Sequence, residues 1–591
     1  ISSNKTKAEC VSAGVDFPDG NGGDYVITTG ETLVDGRVIA AGTKQLKLIT
    51  QKLNLPIENV TALREFEPTV DGQECTLSGH TLPGIGGGQF YAILNDTGGI
   101  DNNGTKFMTA GGHSWNRKST GHPPTVLDFG ALGKGAGFPD SAAFQNAANN
   151  GDFHIPPCDQ YYLVGGLSIP NGRNITGERV YTYTAFNVAD VAGRNAIVYD
   201  TTEPTFISWG RDCSISNCMV HGVNRSRAFF DTGSNPTSFR MFNTDVFRCF
   251  HGLGRQDGGS CNAVFVLRSH FSGNTNGVNA LVDSHVTQCE INANEVDGVV
   301  IGAGANDTVY LDNKVEFNNA KGYNVFGGQT SVQIIAGIVD RNGQAGMSFT
   351  DNAGVTVGFV KFRRNGAQSQ SNAEQDAHIA FRGGLSPNLK ISNIDTAAGN
   401  DDGVTGYVSP RYSISSSDNA ASARSITDCD LTGSTSSNLL TRNSGTFSTE
   451  IFSGNSVNSK SAGFSLGIGR TNQGAVYFPN EVVFSGVTGN YTVAEDLLMT
   501  GLPVTDSFSR TGYDLFLVTR NGSTGGTIVQ RYILTIIREG GGCTVSLVNY
   551  VESSTNPAVT ATTNTEGTEV TVTFTPTSGT LRTEAVLTYF R

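Results

Sequence analysis

The chain has 591 residues, of which 37% are hydrophobic, only 16% are charged and 74 are glycine. Its apolar content is too high for a disordered chain and its charge too sparse for a long coiled coil, while glycine at nearly twice its usual ~7% share favours many short strands and turns. A formal net charge of −13 argues against nucleic acid as a partner, and no apolar run approaches the ~20 residues of a membrane span, so no membrane insertion is expected.

The chain opens at Ile1 rather than Met, which suggests removal of an N-terminal portion, and no signal-like segment opens it. Ten cysteines show neither a CxxC pair nor zinc spacing, so they read as free, mostly buried thiols, in keeping with assembly in a reducing cytoplasm. Residues 1–122 read as a small mixed domain. TLVDGRVIA is strand-like, and Leu46, Ile49, Leu53 and Leu55 suit a short helix. The GKGAG of Gly133–Gly137 lacks the flanking strand, helix and acidic follower of a dinucleotide site.

From about residue 123 the text changes. Asp140 is a good N-cap, and Ala143, Phe144, Ala147 and Ala148 form one apolar stripe, predicting a short one-sided helix suited to covering the open end of a sheet stack. The strings DFGALGKG, DSAAFQNA and IPPCDQYYL, between Asp128 and Leu163, resemble the opening of the pectate-lyase-like right-handed β-helices of phage tailspikes. Lys134 and Cys158 depart from that pattern, where Asp and Gly are common. The preceding stretch, from GGGQFYAI through Asp101, Gly104 and Thr105 to Trp115-Asn116-Arg117, is similar to the one that often precedes such helices. The resemblance implies a homotrimer in a virion tail, attached to tail or baseplate through its N-terminal region. It would be assembled in the host cytoplasm and act outside the host cell on capsule or O-antigen. The family's catalytic residues follow no fixed motif, so none carries over.

Beyond about residue 205 a repeat appears. Gly298, Gly322 and Gly346 are 24 residues apart, with Gly277 and Gly252 before them at 21 and 25. Each unit reads as an alternating strand, an Asn-rich turn, the glycine and a second apolar strand. Units of this length cannot bury their own apolar face and must stack, as in a parallel β-helix. Asn294, Asn318 and Asn342 then lie in register, where they suit left-handed turns. From about 462 the period stops, and alternating strands such as DLFLVTR and YILTIIR look antiparallel. The expected fold is all-β: a right-handed parallel β-helix over 123–461, a small mixed N-terminal domain over 1–122, and a C-terminal antiparallel β-sandwich over 462–591 for trimerisation or carbohydrate binding.

Stacking makes residues one repeat apart vertical neighbours. In KVEFNN, alternation puts Val315 and Phe317 inward and Lys314 and Glu316 outward. Asp340 takes the position of Glu316 one repeat on, Arg364 follows 24 residues later, and Glu290 takes that of Lys314 one repeat earlier. With coils ~4.8 Å apart, Glu316 and Asp340 approach the ~5–5.5 Å separation of a retaining glycosidase pair. The plain alternative is a solvated ladder balanced by Lys314 and Arg364. No metal cluster stands out, so no cofactor is expected, although Glu290, Glu316 and Asp340 could hold Ca²⁺ with waters.

Residues 205–285 hold seven arginines, no lysine, five aspartates and no glutamate, with His221, His251, His270 and His285. In VFVLRSHF, Phe265, Leu267 and Phe271 read as inward, leaving Arg268 and His270 outward, a cation for a sugar carboxylate beside a base. The catalytic candidates are therefore Glu316, Asp340, Lys314 and His270. Arg268, Arg364 and Glu290 are candidates for substrate binding, with Trp209, Tyr310 and Tyr323 as stacking faces. The basic excess tips the reading slightly from hydrolysis by a Glu/Asp pair toward elimination on an acidic polysaccharide. A non-cutting adhesin and a structural rod are the rival classes.

Overall fold

A computed structural model of the chain describes residues 55–181 and, with short breaks, 188–457; outside these it describes only strand segments. The described part divides into two compact units, Ile1–Leu132 with Ala142–His154, and Gly133–Ser141 with Ile155–Arg591.

In the first unit, TLVDGRVIA supplies parts of two strands rather than one, Glu31–Val34 antiparallel to Arg37–Ala40. Residues 46–53, expected to be helical, lie outside the described residues. Leu55 instead begins a strand, Leu55–Ile57, which runs parallel to Glu74–Leu77. The antiparallel strands Glu74–Leu77, Gly88–Ile93, Ser114–Arg117 and Lys106–Met108 complete a five-stranded sheet. A short helix, Val60–Glu65, starts where Asn59 Oδ1 accepts the Ala62 N–H at 3.0 Å. Its Val60 and Leu63 join Cys75, Phe90, Phe107 and Trp115 in one core. The helix predicted after Asp140 spans Ser141–Asn150 and buries the four residues of its stripe. Of its residues, 142–150 fall in this first unit.

The second unit is a parallel β-helix. Most described coils contribute three strands, one more than the repeat text suggested; the coil at Val309–Leu311, Lys314–Glu316 and Tyr323–Phe326 is typical. The middle strands stack as a ten-stranded sheet from Lys134–Pro139 to Lys361–Arg363, called the first sheet below. Its inward file, Val246, Phe271, Ile291, Val315, Val339 and Phe362, is at most 2% exposed. Burying such a side chain contributes roughly 1.5–3 kcal/mol.

The corner after each first-sheet strand explains the period. The residue in the left-handed conformation is Ala293, Phe317, Arg341 or Arg364 (φ 43–54°), not the asparagine that follows. Each asparagine turns its side chain into the stack instead. Asn294 Nδ2 donates to Asn318 Oδ1 at 2.7 Å, Asn318 Nδ2 to Asn342 Oδ1 at 2.9 Å, and Asn342 Nδ2 to Asn365 Oδ1 at 2.8 Å. Beyond it the glycines pile up so closely that a Cβ on Gly322 would lie 2.5 Å from the Gly346 carbonyl oxygen, which fixes glycine at that register.

Beyond residue 480 the strands are antiparallel, forming one sheet of five and another of three. The eight described cysteines are free; Cys158 is half-buried and the rest are buried. No described helix is long and apolar enough to cross a membrane.

Candidate functional site

The outward side of the first sheet carries two vertical files. Asp245, His270, Glu290 and Lys314 occupy one; Phe247, Ser272, Asn292, Glu316 and Asp340 occupy the other. Glu316 and Asp340 are thus register neighbours on successive coils, as the repeat required, and so are Glu290 and Lys314.

Their surroundings differ from the expected solvated wall. Glu316 is 2% and Asp340 3% exposed; Lys314 of the same strand lies against Glu316, and Arg341 beside it and Arg364 of the next coil lie against Asp340. Asp340 is gripped by the Arg364 fork, Nε to Oδ1 at 3.0 Å and Nη2 to Oδ2 at 2.6 Å, and by Arg341 Nη1 at 2.9 Å. Arg364 is not the register partner of Asp340; Arg363 is. Arg364 reaches back from its left-handed corner and is itself 1% exposed, which withdraws it as a surface sugar ligand. A carboxylate fixed by two buried guanidiniums is structural in character. Phe317, expected inward, sits at the corner, half-buried beneath the Arg341 guanidinium at 4.9 Å.

One coil lower, Lys314 Nζ lies 2.6 Å from Glu316 Oε1 and 3.3 Å from Glu290 Oε1. The two contacts limit the separation of those oxygens to about 6 Å, a ceiling that admits the ~5–5.5 Å of a retaining pair and falls below the ~6.5–9.5 Å of an inverting one. Lys314 is 46% and Glu290 22% exposed at the side chain, so this centre opens to solvent where Asp340 does not. Burial works to lower the Lys314 pKa, but the two carboxylates outweigh it and hold it above its ordinary value. The ammonium thus stands between Glu290 and Glu316, where a Ca²⁺ ion would have to sit. Among the described residues no group of three His, Cys, Asp or Glu side chains is arranged to hold a metal.

At the other end of the first file lies a cluster of which the sequence pattern pointed only to His270. Asp245, fully buried, is ion-paired with Arg179. Burial pushes its carboxyl pKa up to about 7, against the pull of Arg179. His270, its register neighbour, is 3% exposed, with Nε2 3.1 Å from Asn292 Oδ1. Tyr181 lies over this group, its ring 6.1 Å from that of His270 and its hydroxyl 3.3 Å from Glu290 Oε2. Asp245 was legible from the period, being 25 residues before His270; Arg179 and Tyr181 precede the regular repeat and carried no signal.

Four further expectations are corrected. Phe265 points outward at 38% exposure while Val266 fills the core, so the phase of Phe265–Leu267 is shifted by one, whereas Phe271 is inward as expected. Arg268 stands at the left-handed corner between two sheets, Nε 3.2 Å from Gln288 Oε1, and does not share a face with His270. Tyr310 and Tyr323 are inward, packed edge to face at 5.9 Å. Trp209 is 3% exposed against Phe239, 4.7 Å away. None of these three aromatic rings is open to a sugar.

Residues 56–120 match the family model of the phage tail protein small four-stranded beta-sheet domain. They cover the four antiparallel strands described above and two residues of the parallel edge strand. The chain therefore joins a phage-tail domain to a parallel β-helix, the layout of the phage tailspikes that residues 128–163 resemble. Among solved structures, the chain is similar to the enzymatically active domain of tailspike protein 2 of bacteriophage CBA120 (15% identity, 91% of this chain and 90% of that one, TM-score 0.49). It is also similar to a capsular polysaccharide depolymerase, the tailspike protein of Acinetobacter baumannii bacteriophage Fri1 (10%, 90% and 98%, TM-score 0.44). A third is the glycan biofilm modifying enzyme WceF of Pantoea stewartii (12%, 94% and 74%, TM-score 0.36).

Proposed function

We propose that this protein is a homotrimeric phage tailspike that binds a bacterial surface polysaccharide, capsule or O-antigen, along its β-helix and cuts it internally. The phage-tail domain at 56–120 attaches it to the virion. One observation carries the enzymatic reading: Glu290 and Glu316 converge on Lys314, within about 6 Å of each other, where Lys314 and Glu290 are open to solvent and Glu316 lies just beneath them. In this reading Glu290, the more open carboxylate, attacks the anomeric carbon, and the Lys314–Glu316 pair, whose transferable proton is on the ammonium, gives that proton to the leaving oxygen and later takes one back from the attacking water. Lys314 holds both in position. Asp340 supports them from the next coil and does not touch substrate.

This favours hydrolysis over the elimination that composition suggested. Elimination needs a cation free to neutralise a uronate, yet Lys314, Arg341 and Arg364 are each committed to carboxylates. Elimination is the second reading, favoured by Arg179, Tyr181 and His270 lying together.

The test is to incubate the purified protein with a panel of capsule and O-antigen preparations and size the products. Shortened chains with new reducing ends, and no near-ultraviolet absorbance from a new double bond, are expected. Glu316→Gln should abolish cutting while leaving binding intact. Binding without shortening of any bound polysaccharide overturns the enzyme reading in favour of an adhesin.

A further inference from the structure

The three aromatic residues named from sequence as sugar-stacking faces are all buried, yet a polysaccharide held at an open wall needs an exposed aromatic face near the cutting centre. Tyr181 meets that need. It is 52% exposed, among the most open large apolar or aromatic side chains described in the second unit, and it is held rather than loose. Its hydroxyl sits 3.3 Å from Glu290 Oε2. The Arg179 guanidinium lies 5.5 Å from its ring centroid, fixed in turn by its ion pair with buried Asp245. The His270 ring is 6.1 Å away, inclined by 34°. Burial and the negative charges of Glu290 and Asp245 push its phenol up to about 12, so it remains a neutral hydrogen-bond donor throughout the physiological range.

Resting on the depolymerase reading, we propose that Tyr181 is the platform against which the pyranose next to the scissile bond stacks its C–H face. An aromatic ring with an apolar body and a polar tip suits a sugar, which presents C–H groups on its face and hydroxyls at its rim. Contact between the phenol and Glu290 places the platform beside the attacking carboxylate, one coil from Lys314 and Glu316. With Arg179 and His270 against it, the ring is set before substrate arrives, which lowers the entropy lost on binding.

The experiment measures, by calorimetry, the affinity of a bacterial surface polysaccharide that binds in the panel above, using the non-cutting Glu316→Gln protein as parent. Added to that parent, Tyr181→Ala should weaken binding by about tenfold or more, whereas Tyr181→Phe and Tyr181→Trp should stay within about threefold because each keeps a ring. If Tyr181→Ala disturbs folding by circular dichroism, Tyr181→Leu replaces it, with the same loss expected. Equal affinity across the series refutes the platform and leaves the depolymerase reading standing. A Tyr181-dependent affinity in a protein that never shortens its polysaccharide upholds the platform and refutes the enzyme. Failure of every polysaccharide in the panel to bind refutes both.

Discussion

Asn318 is the place where the stacked-coil account can be tested by stability alone. Its Oδ1 accepts the Asn294 backbone N–H at 3.2 Å and Asn294 Nδ2 at 2.7 Å, and its Nδ2 donates to Asn342 Oδ1 and to the Ile291 carbonyl at 3.2 Å. Asn318→Ala strands the Asn294 N–H inside the coil, while the Ile291 carbonyl loses one of its two donors and keeps its place in the parallel ladder. Asn342 Oδ1 still receives the Asn318 backbone N–H and is spared. One orphaned buried group gives an expected loss of about 1–3 kcal/mol. Asn319→Ala, at an exposed position one residue on, should cost less than about 0.5 kcal/mol. Guanidinium unfolding followed by circular dichroism reads both, with unfolding rates compared if refolding is incomplete. A loss below about 0.5 kcal/mol for Asn318→Ala would mean that the amide column does not hold the coils, and the account of the 24-residue period would fall with it.

Three other outcomes are expected. Arg364→Met leaves the buried Asp340 with Arg341 alone and should cost about 3 kcal/mol, the low end for a broken buried pair; Arg364→Met with Asp340→Leu should recover at least half of that, read by the same unfolding curves. His251 and His378 are buried, and burial pushes each pKa down to about 4. The unfolded chain, with histidine near 6.5, binds more protons between these values, so stability is full above about pH 6.5 and falls toward pH 4 by up to roughly 3 kcal/mol per histidine. A melting temperature flat from pH 7 to 4.5 in the native protein, or equally steep in a His378→Gln variant, would remove that assignment. Finally, Glu290→Gln should lower kcat by about 100-fold or more without weakening polysaccharide binding to the same extent; a loss confined to KM would make Glu290 a binding residue only.

The architecture was legible because its constraints are strict. Glycine at 298, 322 and 346 is required by backbone contact between coils, and asparagine at 294, 318 and 342 by the amide column, so both survive as a period in the text. Site residues were legible by register but not by environment. Glu316 and Asp340 do face outward from the sheet, yet outward on a β-helix is not the same as wet: Lys314, Arg341 and Arg364 lie across that wall and bury them. The aromatics failed for a related reason. A strand of three or four residues offers too few alternations to fix its phase, so Phe265 reads as inward and Tyr310 and Tyr323 as outward. Tyr181 and Arg179 stand before the regular repeat, where no period points to the coil they cover.

The most direct test of Glu290 and Glu316 as the cutting pair is the anomeric configuration of the first product. Proton NMR during early turnover, before mutarotation, distinguishes the two hydrolytic outcomes. Carboxylates no more than about 6 Å apart predict retention, through a glycosyl–enzyme intermediate. An inverted product, or an unsaturated sugar in its place, would contradict the account and move the chemistry away from Lys314 and its two carboxylates.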